Sequence, residues 1–217
     1  MIEEITPGTK TKIRIVKTIY ENPGINLTSL IRRVKASPNS VLEYVNKLSK
    51  YGIIKEIRLG GKKRIHIRSL LPNLSSEIAK LIFSIIEEEK KLRFFEKYKT
   101  LRPLIEQLHD LFGENIRFAL IYGSYARFAA TKESDLDILI VGKLDNVTKN
   151  RIDEIFITSE VEPSVKTDTL EKFIENKEKP LYQNILMEHV IIFGSYEFVS
   201  VLEKIGDRKY FSSETTQ

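Results

Sequence analysis

In the first part of the chain, the spacing of apolar positions changes from helical to strand-like. Apolar residues recur every three or four positions and then alternate with polar ones in two runs around Gly60-Gly61, a pair typical of a hairpin turn. The predicted helices cover residues 10–21, 27–34 and 37–51, with Ser37 as an N-cap, and the predicted strands cover residues 53–59 and 62–68. The pattern therefore predicts three short helices followed by a basic hairpin.

A longer helical pattern follows and predicts a helix from about Leu74 to Tyr98. Its apolar side consists of Ile78, Leu81, Ile82, Ile85, Leu92 and Phe95. The charged run Glu87–Lys91 interrupts this side and is interpreted as a solvated face. A helix of this length between two domains would act as a spacer, and its apolar edge could pair with a second copy of the chain, although the pattern is too irregular for a coiled coil.

The second half of the chain alternates between strand-like and helical segments. Ala119–Tyr122 is an apolar run that ends at Gly123, and Leu136–Val141, apolar on both faces, predicts a buried interior strand. The other predicted strands are residues 161–166 and 190–193, and the predicted helices are residues 101–112, 147–158, 169–175, 181–188 and 196–205. The expected domains are residues 1–72, a helical linker over 73–113, an α/β domain over 114–206 and a polar tail over 207–217.

Two acidic residues stand at the start of the buried strand. The two-residue repeat of a strand points Asp135 and Asp137 to the same side, where their carboxylates repel each other and lose water. A divalent cation relieves both problems, and Mg²⁺ is typically held by one or two carboxylates together with substrate phosphates. Gly123 lets a backbone come close to a ligand, and Ser124 adds a hydroxyl and an N–H group near a helix start. The combination predicts a phosphoryl-transfer site.

Composition narrows the class of protein. There is no cysteine, so the chain has neither a disulfide framework nor a thiolate zinc site, and its three histidines, His66, His109 and His189, are too far apart to form a ligand spacing. No apolar run approaches the ~18 residues of a membrane span, and the acidic start is unlike a signal peptide. A cytoplasmic protein without membrane contact is therefore expected.

The net charge of +5 is distributed unevenly. Residues 1–72 contain 15 basic and 5 acidic residues, a net charge of +10, whereas residues 73–217 contain 20 basic and 25 acidic residues, a net charge of −5. A strongly basic segment joined to a mildly acidic one predicts nucleic acid binding by the first segment.

Gly123-Ser124, ten residues and then Asp135-x-Asp137 resemble the signature of the DNA polymerase beta-like nucleotidyltransferase superfamily, and most closely its minimal nucleotidyltransferase branch. The similarity covers residues 115–196. It implies an α/β fold with a small mixed sheet flanked by helices. It also implies two Mg²⁺ ions and a nucleoside triphosphate, with ATP the first candidate. In such a site Asp135 and Asp137 would be catalytic metal ligands, Gly123 and Ser124 would hold the triphosphate, and Arg127 would contact phosphate or form a surface salt bridge.

The chain departs from this family in two places. The family usually has a third carboxylate on the next strand, for which Glu162 is the first candidate as catalytic metal ligand and Glu160, on the same face, the second. The family also often has glycine after Ala-Arg, where this chain has Phe128. If that glycine has a positive φ, phenylalanine is costly there, and we expect the local turn to differ. Gly194-Ser195-Tyr196 repeats the glycine-serine turn without an acid pair and is interpreted as structural.

Three short helices and a basic hairpin resemble a winged helix-turn-helix domain. The third helix would enter the major groove of duplex DNA, and the hairpin would be the wing. The candidates for DNA contact on the helix are Asn39, Ser40, Glu43, Asn46, Lys47 and Lys50, and those on the wing, for phosphates, are Lys62, Lys63, Arg64 and Arg68. The alternatives are that these cations merely solvate the domain or that it contacts protein.

Two functions are consistent with these features. The first is an enzyme that adds a nucleoside monophosphate to a hydroxyl while tethered to DNA. Minimal nucleotidyltransferases often act as antitoxins that modify a partner of the HEPN class, so the resemblance implies a HEPN-like partner. The second is a transcriptional regulator whose nucleotidyltransferase-like domain binds nucleotide as a signal and catalyses no reaction.

Overall fold

The computed structural model describes residues 7–59, 67–157 and 159–206. The chain divides into two compact units, the described residues up to Ser84 together with Gly206, and Ile85–Ile205. The division therefore falls inside the long helix, and not at the expected limits of a separate linker.

The first unit consists of three helices and a three-stranded antiparallel sheet. Its elements are α1 (Lys10–Glu21), β1 (Ile25–Asn26), α2 (Leu27–Val34), α3 (Pro38–Lys50), β2 (Ile54–Leu59) and β3 (Ile67–Pro72), and the strand order is β1-β3-β2. Ser37 is the N-cap of α3 and accepts a hydrogen bond from the Ser40 backbone N–H, as predicted. The three helices and the first hairpin strand thus follow the apolar pattern closely.

Two features of this sheet were not predicted. β1 contains only two residues, too few to produce a periodic signal, and Ile25 pairs with Leu70. β3 continues to Pro72, beyond the expected strand end at Arg68, because Leu70 and Leu71 are buried in the core of the unit. The predicted hairpin tip, which includes Lys62, Lys63 and Arg64, lies outside the described residues.

The second unit is a mixed four-stranded sheet with helices on both faces. Its elements are the second part of α4 (Glu77–Lys97), a 3₁₀ turn (Lys99–Leu101), α5 (Arg102–Leu111), β4 (Ile116–Ile121), α6 (Gly123–Ala126), β5 (Leu136–Gly142), α7 (Asn146–Phe156), β6 (Pro163–Asp168), α8 (Leu170–Glu175), α9 (Pro180–Met187), β7 (Val190–Phe193) and α10 (Ser195–Ile205). The strand order is β6-β5-β4-β7, with β5 parallel to β6 and the other pairs antiparallel. The expected α/β class with a small mixed sheet is confirmed.

The position of β5 explains its composition. It lies between β4 and β6, and its side chains alternate between two apolar layers, which agrees with a predicted interior strand. Ile138 and Ile140 belong to the same core cluster as Phe94, Ile105 and Phe156, which come from α4, α5 and α7. On the other face of the sheet, Phe118 packs edge-on against aromatic rings of α8 and α10. Because α5 and the second part of α4 bury apolar side chains in this core, they belong to the second unit.

The charged run in α4 is partly buried, which corrects the interpretation of it as a solvated face. Glu87 is only 3% exposed, and its Oε1 lies 3.3 Å from Nε2 of the buried His189. Glu88 Oε1 accepts a hydrogen bond of 2.5 Å from the Ser195 hydroxyl. Acidic side chains tolerate burial where such partners compensate for lost water, so this run joins α4 to β7 and α10.

Gly194 supports the structural interpretation of the second glycine-serine turn. Its φ is +72°, and a Cβ there would overlap the Arg117 carbonyl oxygen and lie 3.0 Å from Phe118 Cα. Glycine therefore permits a close approach of two strands. In the described part of the chain, no helix combines the length and the apolar character needed to cross a membrane.

Candidate functional site

Gly123 and Asp137 lie in direct contact although fourteen positions separate them in the sequence. Gly123 follows β4 with φ +70°, and a Cβ on it would overlap Asp137 Oδ2 and lie 3.2 Å from Asp137 Cγ. The Tyr122 backbone N–H donates a 3.0 Å hydrogen bond to the Asp137 carbonyl oxygen. Only glycine can bring this turn so close to the carboxylate, so the turn and the acid form one site.

The acid pair has the electrostatics expected of a cation site. Partial burial raises the pKa of Asp137, a hydrogen bond from Ser164 lowers it, and the charge of Asp135 raises it again. Asp135 is exposed just before β5, whereas Asp137 is the second residue of that strand. Two carboxylates on one side of a strand, open to substrate phosphates, suit a hard cation such as Mg²⁺.

Ser124 and Arg127 lie beside the acid pair on the turn that follows β4. Ser124 is in α6, and its backbone carbonyl accepts a 2.9 Å hydrogen bond from the Ala129 N–H. Arg127 Nη1 lies 3.6 Å from Glu188 Oε2 at the surface, and its charge lowers the pKa of Asp137. The surface ion pair considered for Arg127 is thus present, and phosphate contact stays a prediction.

Glu162 lies at the edge of this site. Its carbonyl oxygen accepts a 2.8 Å hydrogen bond from the N–H of Leu136, the residue between the two aspartates, and its side chain is exposed just before β6. Ser164, two residues later, is the residue that pairs with Asp137. Glu160 and Glu162 also line a cavity of about 500 Å³ at the end of α7. Among the residues that the structure describes, no three His, Asp or Glu side chains are grouped as metal ligands, so the role of Glu162 as third ligand stays a prediction.

Phe128 has a φ of +57°, the left-handed conformation expected to be costly for phenylalanine. Its ring stacks on Tyr98 with centroids 6.3 Å apart and meets Phe94 edge-on at 6.3 Å. The Lys97 ammonium donates a hydrogen bond to the Phe128 carbonyl oxygen. Packing against α4 therefore offsets the cost of a left-handed phenylalanine, typically about 1–2 kcal/mol.

The described DNA-contact candidates occupy one helix and one strand of the first unit. Asn39 and Ser40 are exposed in the first turn of α3, and Lys47 forms an ion pair of 2.7 Å with Glu43. Arg68 forms an ion pair with Glu56 at 2.8 Å and bonds Asn46 at 3.1 Å, so its guanidinium already has protein partners. Lys62, Lys63 and Arg64 lie outside the described residues.

Sequence reasoning placed Ser164 on one strand face with Glu160 and Glu162, but it missed the other polar side chains on and around β6. Ser164, Lys166 and Asp168 alternate along the strand on the face that carries Asp137, with Tyr122 and Tyr182 beside them. Their strand alternation was a signal, but a strand predicted over 161–166 ended too early to include Asp168.

Comparisons with known proteins agree with both units. Residues 9–55 match a family described as winged helix-turn-helix DNA-binding, and residues 106–197 match one described as polymerase beta, nucleotidyltransferase. A protein of Methanocaldococcus jannaschii, named as a putative protein adenylyltransferase, is 40% identical over 47 residues, which cover 22% of this chain and 47% of that relative. The chain thus matches about half the length of that relative.

The left-handed conformation of Phe128 leads to a prediction about stability. Phe128→Ala and Phe128→Gly both lose the ring contacts, but glycine removes the positive-φ strain, so Phe128→Gly should be more stable by about 1 kcal/mol. Phe94, in the interior of α4, is the matched control, because there Ala should be more stable than Gly by about 1 kcal/mol. Urea unfolding of the four variants measures both differences. The same Ala-over-Gly order at both positions would contradict the strain at Phe128.

Proposed function

Because the chain joins a winged helix-turn-helix domain to a polymerase beta-type nucleotidyltransferase domain, we propose that it transfers a nucleoside monophosphate from a triphosphate to a hydroxyl while bound to duplex DNA. ATP is the first candidate for the triphosphate. The observation that carries this proposal is the contact of Gly123 with Asp137, because a Cβ there would overlap the carboxylate. A phosphate could bind between the backbone N–H groups of this turn and a cation held by the acid pair.

Each residue of the site has a role in this reaction. Asp135 and Asp137 would hold Mg²⁺, and Ser124 would orient the triphosphate through its hydroxyl and backbone N–H. A bound divalent cation would supply positive charge to the phosphates. The acceptor oxygen forms a bond to the α-phosphorus as the bond to the β-phosphate breaks, and pyrophosphate leaves. The family resemblance implies two ions, whereas the described acid pair is suited to one.

A protein is the acceptor that we propose. The name of the Methanocaldococcus jannaschii relative describes a protein adenylyltransferase, which supports a hydroxyl on a protein side chain as the target. A HEPN-like partner is a further proposal, based on the resemblance to minimal nucleotidyltransferases.

Nucleotide sensing without transfer is the second candidate, and one observation favours it. Among the described residues no third acidic side chain joins Asp135 and Asp137, and Ser164 pairs with Asp137 on the next strand. Loss of a ligand would weaken metal-assisted chemistry more than nucleotide binding, because binding needs only the ground-state contacts. The chain would then be a DNA-bound regulator that responds to nucleotide.

Mg²⁺ with ATP should raise the melting temperature of the chain, since a ligand that binds only the folded state stabilises it, by about 2.7 kcal/mol at 100 times its Kd. The shift should disappear in Asp135→Asn/Asp137→Asn and persist in Asp110→Asn, an exposed acid on α5.

Transfer is measured with α-labelled ATP and candidate partner proteins. Label should pass to the partner, and Asp137→Asn should reduce the rate at least ~100-fold. Tight binding without any transfer would identify the sensor, and equal shifts in all three proteins would contradict the site.

DNA binding through α3 is supported by the charge distribution and by exposure. The basic charge of +10 lies in residues 1–72, and Asn39 and Ser40 are exposed where the N-terminal turn of a recognition helix meets base edges. Because Lys47 is already paired with Glu43, we propose that it contributes less than the uncharged side chains of Asn39 and Ser40. Lys62, Lys63 and Arg64 are proposed as phosphate contacts from the sequence.

Substitutions in the full chain should separate base from phosphate contacts. Asn39→Ala or Ser40→Ala should change which duplex sequence is preferred, whereas Arg64→Ala should weaken binding to all sequences and reduce the salt slope by about one unit. Lys149→Ala, an exposed lysine on α7, is the control and should change neither. A salt titration on random and enriched duplexes measures both effects. Absence of DNA binding by the wild-type chain at low salt would favour a domain that contacts protein.

One face of α4 supports the proposal of a homodimer. Ile78, Leu81, Ile85 and Leu92 are 51%, 55%, 57% and 57% exposed, and their spacing is that of helix-pairing positions. The position that follows Leu81 by seven residues is Glu88, so a parallel pair would place like charges opposite each other. An antiparallel pair centred on Ile85 instead brings Ile78 against Leu92 of the second copy, which makes the face self-complementary.

Ile85→Glu should therefore lower the dimer fraction of the chain, since it puts a charge at the centre of the proposed pair. Ile57→Glu, at an apolar side chain that is 45% exposed on β2, is the control and should leave association unchanged. Sedimentation equilibrium of the three proteins measures the monomer–dimer constant. A wild-type chain that remains monomeric at 100 μM would rule out this dimer.

A further inference from the structure

The sheet face that carries Asp137 also carries a lysine. Asp137 pairs with Ser164 across the parallel strands β5 and β6, and Lys166 is two residues further along β6, so its side chain leaves the sheet on the same face. Sequence analysis assigned no role to Lys166, and the function proposed above does not use it.

The Lys166 side chain is held in place beside an aromatic ring. Its Nζ lies 4.6 Å from the centroid of the Tyr182 ring, within the range of a cation–π interaction. The Tyr182 hydroxyl donates a hydrogen bond to Asp168 Oδ2, which orients the ring beneath the ammonium. The hydrogen bond with Tyr182 raises the pKa of Lys166, burial lowers it, and the charge of Asp168 raises it. The ammonium is therefore a charge held at a defined place on this face, with Asp168 beyond the tyrosine ring.

Tyr122 connects this charge to the acid pair. Its backbone N–H donates to the Asp137 carbonyl oxygen, and it directly precedes Gly123. Burial and the charge of Asp137 raise the pKa of its phenol, and the charge of Lys166 lowers it, so the phenol lies within electrostatic reach of both side chains. The charge of Asp168 also raises the pKa of Tyr122, so Asp137, Tyr122, Lys166 and Asp168 lie near one another at this end of the sheet.

We propose that Lys166 binds a phosphate group of the nucleoside triphosphate and supplies positive charge to a site that holds a single divalent cation. This inference rests on the proposed function. A triphosphate carries about four negative charges and the acid pair adds two more, so one divalent cation leaves most of that charge uncompensated. Lys166 adds positive charge on the face that carries Asp137, and Arg127, whose charge already lowers the pKa of Asp137, adds a second cation from its exposed ion pair with Glu188.

The alternative role for Lys166 is to cover the Tyr182 ring and stabilise α9 against β6. The two roles differ in what a neutral side chain of similar length would change. Lys166→Met keeps the apolar stem over the ring and removes only the charge, whereas Lys166→Arg keeps the charge. If Lys166 binds a phosphate of the triphosphate, removing its charge should weaken ATP binding more than AMP binding. If it only covers the Tyr182 ring, the change should affect both nucleotides alike.

Isothermal titration calorimetry of the full chain with Mg²⁺ and ATP or AMP tests the proposal. Lys166→Met should weaken ATP binding roughly 10- to 100-fold, the value of a charge-assisted hydrogen bond, and AMP binding less than about 3-fold. Lys166→Arg should retain ATP affinity within about 3-fold, and Lys149→Met, on α7, should match wild type. The melting temperature of the free Lys166→Met chain should stay near that of wild type.

Three results would overturn the inference. Unchanged ATP affinity in Lys166→Met, with affinity lost in Asp135→Asn/Asp137→Asn, would refute the phosphate contact and leave the proposed function intact. An equal loss for ATP and AMP, not restored by Lys166→Arg, would assign Lys166 the covering role. A wild-type chain that binds no ATP would refute the proposed function, and this inference with it.

Discussion

The contact between the Gly123 backbone and the Asp137 carboxylate is the constraint on which the candidate site depends. It requires a positive φ and no side chain at residue 123, an interior strand that carries Asp137 into the sheet, and a strand before Gly123 that pairs with that interior strand. The apolar cluster on one face of the sheet keeps β4 and β5 in register. Packing of this cluster therefore determines the distance between Gly123 and the Asp137 carboxylate. The chemistry of the pair therefore depends on residues that never contact substrate.

Two departures from the family signature have different consequences in the structure. Phe128 keeps a left-handed conformation because the aromatic side chains of α4 pack around its ring, so that the cost is met by contacts outside the turn. Glu162, the candidate third carboxylate, precedes β6, lines a cavity at the end of α7 and accepts a backbone hydrogen bond from Leu136. One departure is thus absorbed by packing, whereas the role of Glu162 stays a prediction. Lys166 on β6 adds a positive charge on the sheet face that carries Asp137.

The long helix shows how one element can contribute to two units. Its first part buries Phe83 in the first unit and leaves Ile78 and Leu81 exposed, and its second part buries Phe94 in the second unit and leaves Ile85 and Leu92 exposed. The sequence pattern of a helix shows which positions are apolar. It does not show which of these positions pack against the rest of the chain and which stay exposed. Its charged run is divided in the same way, because Glu87 finds His189 on a distant part of the chain.

The sequence by itself determined the fold class, most helix and strand positions, the acid pair and the glycine turn, because these follow from local periodicity and from the geometry of a strand. It could not determine the partner of Asp137, because the register that pairs it with Ser164 depends on how two strands pack side by side. The short strand β1, the burial of Glu87 and the tolerance of Phe128 likewise depend on residues distant in sequence. Only the tertiary structure decided these points, because pairing register and side-chain burial arise from long-range packing that no local pattern records.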